Sequence, residues 1–418
     1  MASDARGTSI RLGRAADAMK KAPLLILFLT VFIDLVGFGM VLPLLPYYAV
    51  RFGADAFAVG ALLAVYSVMQ LIFSPIWGRL SDRVGRRPLL LMSLLGSSIG
   101  LVVFGLANTL WLLFLSRAFS GVTTATISIA QAYIADSTTP ENRAKGMGLI
   151  GAAFGLGFVF GPALGGVLAQ FGHGTPAFVA AGLAFANFLF ALVKLPESLP
   201  PEARGQVVAR GFSVARLGQA ARVPGMRVLM AIYFVTVFAF ATMEATFPLL
   251  TLHTFQFTEV QNGYVFAYLG VLVVIMQGGL VGRLAKRFGE KPLVIAGTVL
   301  LAIGLGFLPF APTIAMLLLV LVPLAAGNGL ANPALTALIS RTAASSSQGE
   351  VLGVGQSLAS LGRILGPLWG GFAYAYLGMH ISYVIAGMLM LMLTPLAFAI
   401  HQPPASEPEP AESASAST

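Results

Sequence analysis

The chain has 418 residues, 57% of them hydrophobic and 10% charged, with a mean hydropathy of +0.86, where an ordinary soluble domain carries about 25% charged residues; a water-soluble enzyme is excluded. A net charge of +9 with a pI near 10.0 does not point to nucleic acid, because the basic residues are spread through short loops between apolar runs. The absence of cysteine excludes a disulfide framework and any thiolate metal or redox site.

A polar N-terminal segment (1–23) leads into apolar runs at 24–50, 57–80, 88–108, 110–135, 146–170 and 176–195. A charged linker (196–226) follows, then runs at 227–251, 261–283, 292–311, 313–340, 350–375 and 380–400, and a tail at 401–418. Each run is close to the roughly 20 residues that cross a bilayer as a helix. The sequence therefore predicts an all-α integral membrane protein of twelve transmembrane helices, with bundles at 24–195 and 227–400. The first run is long, lacks a small-residue cleavage site and ends in prolines and tyrosines, so it reads as a span and not as a signal peptide. In the linker, Pro196, Pro200 and Pro201 stop the sixth helix. Arg210, Arg216 and Arg222, interleaved with Phe212, Val214 and Leu217, predict a short helix lying in the membrane interface. The Pro/Ser/Glu/Ala tail reads as disordered.

Two patterns organise the twelve runs. Of the 25 Lys and Arg, all but three fall in alternate loops or the N-terminal segment; Arg51 lies on the other side, and Arg117 and Arg363 lie inside spans. By the positive-inside rule both termini are cytoplasmic. The second pattern is a duplication. Gly78-Arg-Leu-Ser-Asp82-Arg83-Val-Gly85-Arg86-Arg87-Pro88 recurs 204 residues on as Gly282-Arg-Leu-Ala-Lys286-Arg-Phe-Gly289-Glu290-Lys-Pro292. Gly157-x3-Gly161-Pro162-x2-Gly165-Gly166 recurs 205 residues on as Gly362-x3-Gly366-Pro367-x2-Gly370-Gly371. Two unrelated motifs with one offset imply two pseudo-symmetric six-helix halves. The glycines four apart let helices approach closely, and each proline weakens a helical hydrogen bond.

Four ionisable residues lie well inside spans: Asp34, Arg117, Glu244 and Arg363. A charge near the midplane costs roughly 2.5–3.5 kcal/mol on insertion scales, so each needs a cavity or a partner. At 1.5 Å per residue, Asp34 is about 15 Å and Arg117 roughly 20 Å from the inner surface, which makes an Asp34–Arg117 pair plausible. That pair is either a proton carrier with its counter-ion or a static lock between the first and fourth helices. Glu244, roughly 25 Å from the inner surface by the same rise, is either a second proton or cation-binding site or a solvated residue of the outer vestibule beside Pro248. Arg363 is a partner for Glu244, an anchor for an anionic substrate, or a snorkelling side chain. Tyr66, Gln70, Phe154, Phe158, Asn187, Tyr233, Phe240, Phe247, Gln277 and Asn328 sit at mid-span, where they either suit a large lipophilic substrate or face neighbours and lipid. His173, His253, His380 and His401 are scattered at span ends with no metal-binding spacing. Gly155-Leu156-Gly157 lies inside an apolar run and is no nucleotide fingerprint.

The Gly78 to Pro88 loop resembles the signature between the second and third helices of the major facilitator superfamily. Asp34-x2-Gly37-x-Gly39-x3-Pro43-x2-Pro46, Arg117-x3-Gly121 and Gly148-x8-Gly157-x3-Gly161-Pro162-x2-Gly165-Gly166 are similar to its twelve-span drug:proton antiporters. Ala132-Tyr133-Ile134-Ala135-Asp136 and Leu195-Pro196-Glu197-Ser198 resemble the tetracycline-efflux branch. The resemblance implies two halves rocking about a midplane site, with Asp34, Arg117 and Glu244 in proton coupling and Gly157, Gly161, Pro162, Gly165 and Gly166 forming a seam that stays sealed. It also implies that Asp82 meets the N-terminus of the eleventh helix while Arg83 or Arg86 reaches Asp136, latching the cytoplasmic side of an outward-facing state; Gly78 and Gly85 shape that loop. The branch's acidic residue in the third helix and histidine in the eighth are absent, since Gly96-Ser97-Ser98-Ile99-Gly100 and Leu272-Val273-Val274-Ile275-Met276 stand there. The expectation is a monomeric, lipid-embedded, proton-coupled antiporter of the bacterial inner membrane that exports lipophilic, neutral or cationic compounds, with no nucleic-acid partner, no metal and no cofactor beyond the proton gradient. A symporter of a sugar or metabolite, favoured by a carboxylate- and amide-rich cavity, and a lipid or glycolipid flippase, favoured by a lateral opening, are the alternatives on the same scaffold.

Overall fold

A computed structural model describes residues 24–138, 140–205, 218, 222–342 and 348–400. The segment 1–23, most of the expected linker helix and the tail lie outside the described residues. The twelve helices are α1 (Leu24–Arg51), α2 (Ala56–Val84), α3 (Arg86–Gly105), α4 (Leu110–Ser137), α5 (Pro140–Ala169), α6 (Thr175–Lys194), α7 (Met226–Phe255), α8 (Glu259–Phe288), α9 (Glu290–Phe310), α10 (Ile314–Thr342), α11 (Gln348–Phe372) and α12 (Met379–Phe398). No strand occurs among the described residues. Eleven of the helices are long and apolar enough to cross a membrane; α11, which carries Arg363, is the twelfth.

Local chemistry explains where the helices begin and turn. Asp55 accepts a hydrogen bond from the Ala58 amide at 2.8 Å and starts α2. Thr258 and Gln261 form a reciprocal capping box at the start of α8, satisfying two amides that a helix N-terminus leaves unpaired. Gly85 joins α2 to α3 with φ +118°, a backbone region open to glycine and costly for other residues.

Two departures from the predicted runs matter. α4 is broken into Leu110–Thr123 and Thr126–Ser137 although no proline stands there. The polar groups freed inside the membrane are taken up by side chains of neighbouring helices, as a hydrocarbon environment requires. Ser93 Oγ accepts from the Ala125 amide at 2.9 Å, and the Trp77 indole donates to the Val122 carbonyl. α8 widens into a π-helical turn at Ile275–Leu280, which holds Gln277.

The pairings repeat across the duplication: α3 packs on α6 as α9 does on α12, and α2 packs on α4. α1 crosses α5 so closely that a Cβ on Gly161 would stand 2.7 Å from the Gly39 Cα. α7 crosses α11 in the same way, a Cβ on Gly366 falling 2.6 Å from the Phe238 carbonyl oxygen. The halves meet along two seams, α5 against α8 and α2 against α11.

Both seams are tight at one end only. A Cβ on Gly263 would lie 2.7 Å from the Gly166 Cα, and one on Gly270 would lie 2.5 Å from the Phe158 carbonyl. Gly60 and Gly371 are pressed onto Pro367 and Ala56 of the facing half. Toward the end that bears Arg79, Arg83, Arg283 and Lys286, termed the basic end here, Gly78, Gly148, Gly151, Gly278, Gly279, Gly282 and Gly353 have nothing within 4 Å of an added Cβ. The halves therefore touch at the opposite end and separate toward the basic end.

The two kinds of glycine contact should respond differently to added volume. Gly165→Val, inside one half against Met40, should lower the thermal midpoint in detergent through overpacking worth about 1–3 kcal/mol. Gly60→Val should leave the halves folded but wedge the seam, raising reactivity of a cysteine introduced at Ala56 toward a membrane-impermeant maleimide. Equal loss of stability in both variants would contradict this division.

Candidate functional site

The geometry of the Gly78 to Pro88 loop is built around two carboxylate sites at the basic end. Glu197, just beyond α6, accepts from the amides of Arg86 (2.9 Å), Arg87 (3.2 Å), Ser198 (3.0 Å) and Leu199 (3.1 Å). It lies across the N-terminus of α3, where a negative charge is favoured, and it is pressed so closely on Gly85 that a Cβ has no room. Arg86, 5% exposed, donates from Nε to Asp136 at 2.9 Å and from a terminal nitrogen to Asp82 and, at 2.7 Å, to Ser81 Oγ. Ser81 in turn donates to the Gly78 carbonyl at 2.8 Å. Gly78, Asp82, Gly85, Arg86 and Asp136 thus form one cluster, and Arg83 is exposed beside it.

The placement of Asp82 differs from the expectation. Its carboxylate is held by Arg86 of its own half and its carbonyl accepts from the Gly205 amide at 2.9 Å, because the halves are apart at this end. Glu197 was legible only as part of the Leu195-Pro196-Glu197-Ser198 resemblance; its four amide partners come from two segments far apart in sequence.

The second half contains the same device with the charges exchanged. Arg86 corresponds to Glu290 and Asp136 to Arg341 by the 204- and 205-residue offsets. Glu290 and Arg341 form a two-point ion pair at 2.9 and 3.3 Å.

In the middle of the membrane the charged residues are distributed differently from the predicted pair. Asp34 faces Thr126 and Ser97. Arg117 is 6% exposed, its guanidinium lies 4.7 Å above the Phe104 ring, and its Nε and one terminal nitrogen have no hydrogen-bond partner. The expected Asp34–Arg117 ion pair is not formed. The reason is the break in α4, which turns Thr126 toward Asp34, whereas Arg117 lies nine residues away, about 14 Å along a helix. Ser93, Ser97 and Thr126 carry no sequence pattern that marks them beforehand.

Arg363 is exposed in the space between the halves and has Tyr66, Tyr233 and Glu244 around it. Tyr66 belongs to the first half and is also within electrostatic reach of Asp34 and Arg117, so it stands between the charged groups of both halves. Gln70, Phe154, Phe158, Phe240 and Glu244 are half-buried, Tyr233 and Asn328 are buried, and Gln277 is exposed. Two expected cavity residues are withdrawn. Phe247 is 1% exposed and packs edge-on against Phe266 at 5.5 Å, and Asn187 donates to the Thr30 carbonyl at 2.9 Å within the core. Both face the packed side of their helices, a matter of rotation that mid-span position alone does not fix.

The opposite end is closed by polar contacts between halves. Tyr47 donates to the Phe257 carbonyl at 3.1 Å, and Asn262 donates to the Pro43 carbonyl at 3.2 Å while accepting from Thr251. His173 Nδ1 lies 3.3 Å from Glu259. The irregular turn at 42–44 in α1 presents the Pro43 carbonyl that Asn262 takes up.

The family model of the Major Facilitator Superfamily matches residues 27–281 and 278–418. The chain belongs to this superfamily. It is 36% identical to the tetracycline resistance protein, class C, of Escherichia coli over 82% of this chain and 88% of that protein. Multidrug resistance protein 2 of Bacillus subtilis is 32% identical over 89% and 94% of the two chains. The crystal structure of the human organic anion transporter MFSD10 superposes with a TM-score of 0.71 at 26% identity, covering 90% of this chain and 99% of that one. The chain is thus a multi-pass membrane transporter of the major facilitator type, with the twelve-helix fold of that superfamily.

The two charge-exchanged pairs should differ in energetic weight. The side chain of Arg86 is 6% exposed and that of Arg341 is 56% exposed. Arg86→Ala, which strands the buried Asp82 carboxylate and unpairs the more exposed Asp136, should destabilise the protein by about 3–5 kcal/mol, and Arg341→Ala by about 1 kcal/mol or less. Thermal unfolding in detergent checks the ranking; a larger loss for Arg341→Ala would reverse it.

Proposed function

We propose that this superfamily member is a proton-driven antiporter that exports lipophilic, drug-like molecules across the bacterial inner membrane. The observation that carries the reading is one acid per half, Asp34 and Glu244, inside the spans without a contacting cation, beside a space open at one end. An intramembrane carboxylate of this kind marks a proton route more often than a structural element. The basic residues support a cytoplasmic open end and cytoplasmic termini; on that reading this conformation is inward-facing, ready to receive a substrate from inside. The relatives are named for resistance to tetracycline and to multiple drugs, in keeping with export. The third- and eighth-helix residues that the tetracycline branch uses are replaced at Gly96–Gly100 and Leu272–Met276, so tetracycline itself is not the proposed substrate.

In this mechanism Asp34 takes a proton from the outward-facing side and releases it to the cytoplasm after the halves rock. Thr126 and Ser97 hold the carboxyl in either form, since hydroxyls both donate and accept. Asp34→Asn should abolish uphill export driven by a pH gradient in proteoliposomes while substrate exchange without a gradient persists. Uphill export retained by the variant would sink the proposal.

The Arg86 cluster is the second moving part. Asp82→Asn removes the charge available to the cytoplasmic end of α11 when the halves close there, so the population should shift toward the inward-facing state. Spin labels on cysteines introduced into the natively cysteine-free chain at the basic ends of α2 and α11 measure this as a longer mean distance. An unchanged distance distribution would remove the latch from the mechanism.

A further inference from the structure

Arg363 is the intramembrane cation left open to a ligand. α11 is held in one rotation by its glycines: a Cβ on Gly362 would stand 3.0 Å from Val237 of α7, and Gly371 is pressed onto Ala56 of α2. That rotation turns the neighbouring Arg363 into the space between the halves, where it faces Tyr66 of one half and Tyr233 of the other. Of the five N–H groups of its guanidinium, the structure assigns a single hydrogen bond, to Ser360 Oγ at 3.2 Å. No carboxylate lies within 4.0 Å of it among the described residues. Glu244 acts on it only across a longer distance.

The other charged groups are not equally available. Arg117 is buried over Phe104, and Asp34 is engaged with Ser97 and Thr126 in the first half. A guanidinium in a membrane interior with most of its donors free has a strong preference for an oxyanion, which it holds by paired charge-assisted hydrogen bonds. We infer that Arg363 anchors the anionic group of the transported molecule, a carboxylate or sulfonate on an aromatic or otherwise lipophilic body, with the Tyr66 and Tyr233 rings beside it. This rests on the reading of the protein as an exporter of lipophilic molecules and sets their charge class.

A matched probe series tests it: dansylglycine (anionic), dansylglycinamide (neutral) and dansylamidoethyl-trimethylammonium (cationic), titrated by fluorescence into the purified full-length chain. Dansylglycine should bind about tenfold or more tightly than the amide, the worth of a charged hydrogen bond, and more tightly than the cation. Arg363→Gln should abolish the preference, and Arg363→Lys should retain part of it. The charge series on the unaltered protein is decisive even if a variant fails to fold. Dansylglycine binding no better than the amide, or a preference for the cation, overturns the anion site, as does an Arg363→Gln protein that folds and keeps the preference. Proteoliposomes with an imposed pH gradient separate this from the transport reading. Arg363-dependent binding of dansylglycine with no gradient-driven movement of any probe leaves the anion site standing and removes proton-driven export; movement of the amide or the cation alone does the reverse.

Discussion

Close approach of helix backbones at glycine is the contact on which the rest of this molecule depends. In a bilayer, apolar side chains gain little by leaving lipid for protein, so helices associate through packing at short range. Gly161 and Gly165 bring α5 against α1, and on the other side of the same helix Gly166 meets Gly263 of α8. Gly362 and Gly366 serve α7 while Gly371 serves α2. α5 and α11 are therefore shared: each holds its own half together with one set of small residues and touches the other half with another. The inter-half set lies at one end, which leaves the halves free to part at the other. The same rotation that seats these glycines aims Arg363 inward.

The polar network at the basic end follows a different economy. Arg86 gathers Asp82 and Asp136, and Glu197 gathers four amides, so that a sharp turn lies against three helix ends with its charges matched. Desolvating such groups is expensive unless every partner is in place. The duplication retained the geometry in the second half and exchanged the signs, Glu290 for Arg86 and Arg341 for Asp136. Attraction between the two positions is unchanged by that exchange, but the second pair is far more exposed and contributes correspondingly less.

Inside the spans, charge is kept sparse and separated. Asp34 and Glu244 are divided between the halves, and Arg117 and Arg363 likewise, with Tyr66 between them. The α4 break is what sets this pattern in the first half, because it presents Thr126 to Asp34 and leaves Arg117 to its aromatic neighbour. The polar contacts of Tyr47, Asn262 and His173 at the opposite end need both halves at once, so they belong to one conformation of the protein.

The sequence by itself determined the class of the protein, the twelve helices, the duplication and the identity of the charged residues within the membrane. Those properties follow from hydropathy and from motif spacing, and both act along the chain. Helix ends came within a few residues for the same reason, since Asp55, Thr258 and Gly85 act on their immediate neighbours. The tertiary structure alone decided which side of each helix faces the interior, and with it the partners of Asp34, the withdrawal of Phe247 and Asn187, the role of Glu197 and the break in α4. One residue of register turns a helix by about 100°, as 3.6 residues make a turn, and no local pattern in a helix that is apolar all round fixes that angle. It is set by which glycines touch which backbone, a contact between residues hundreds of positions apart.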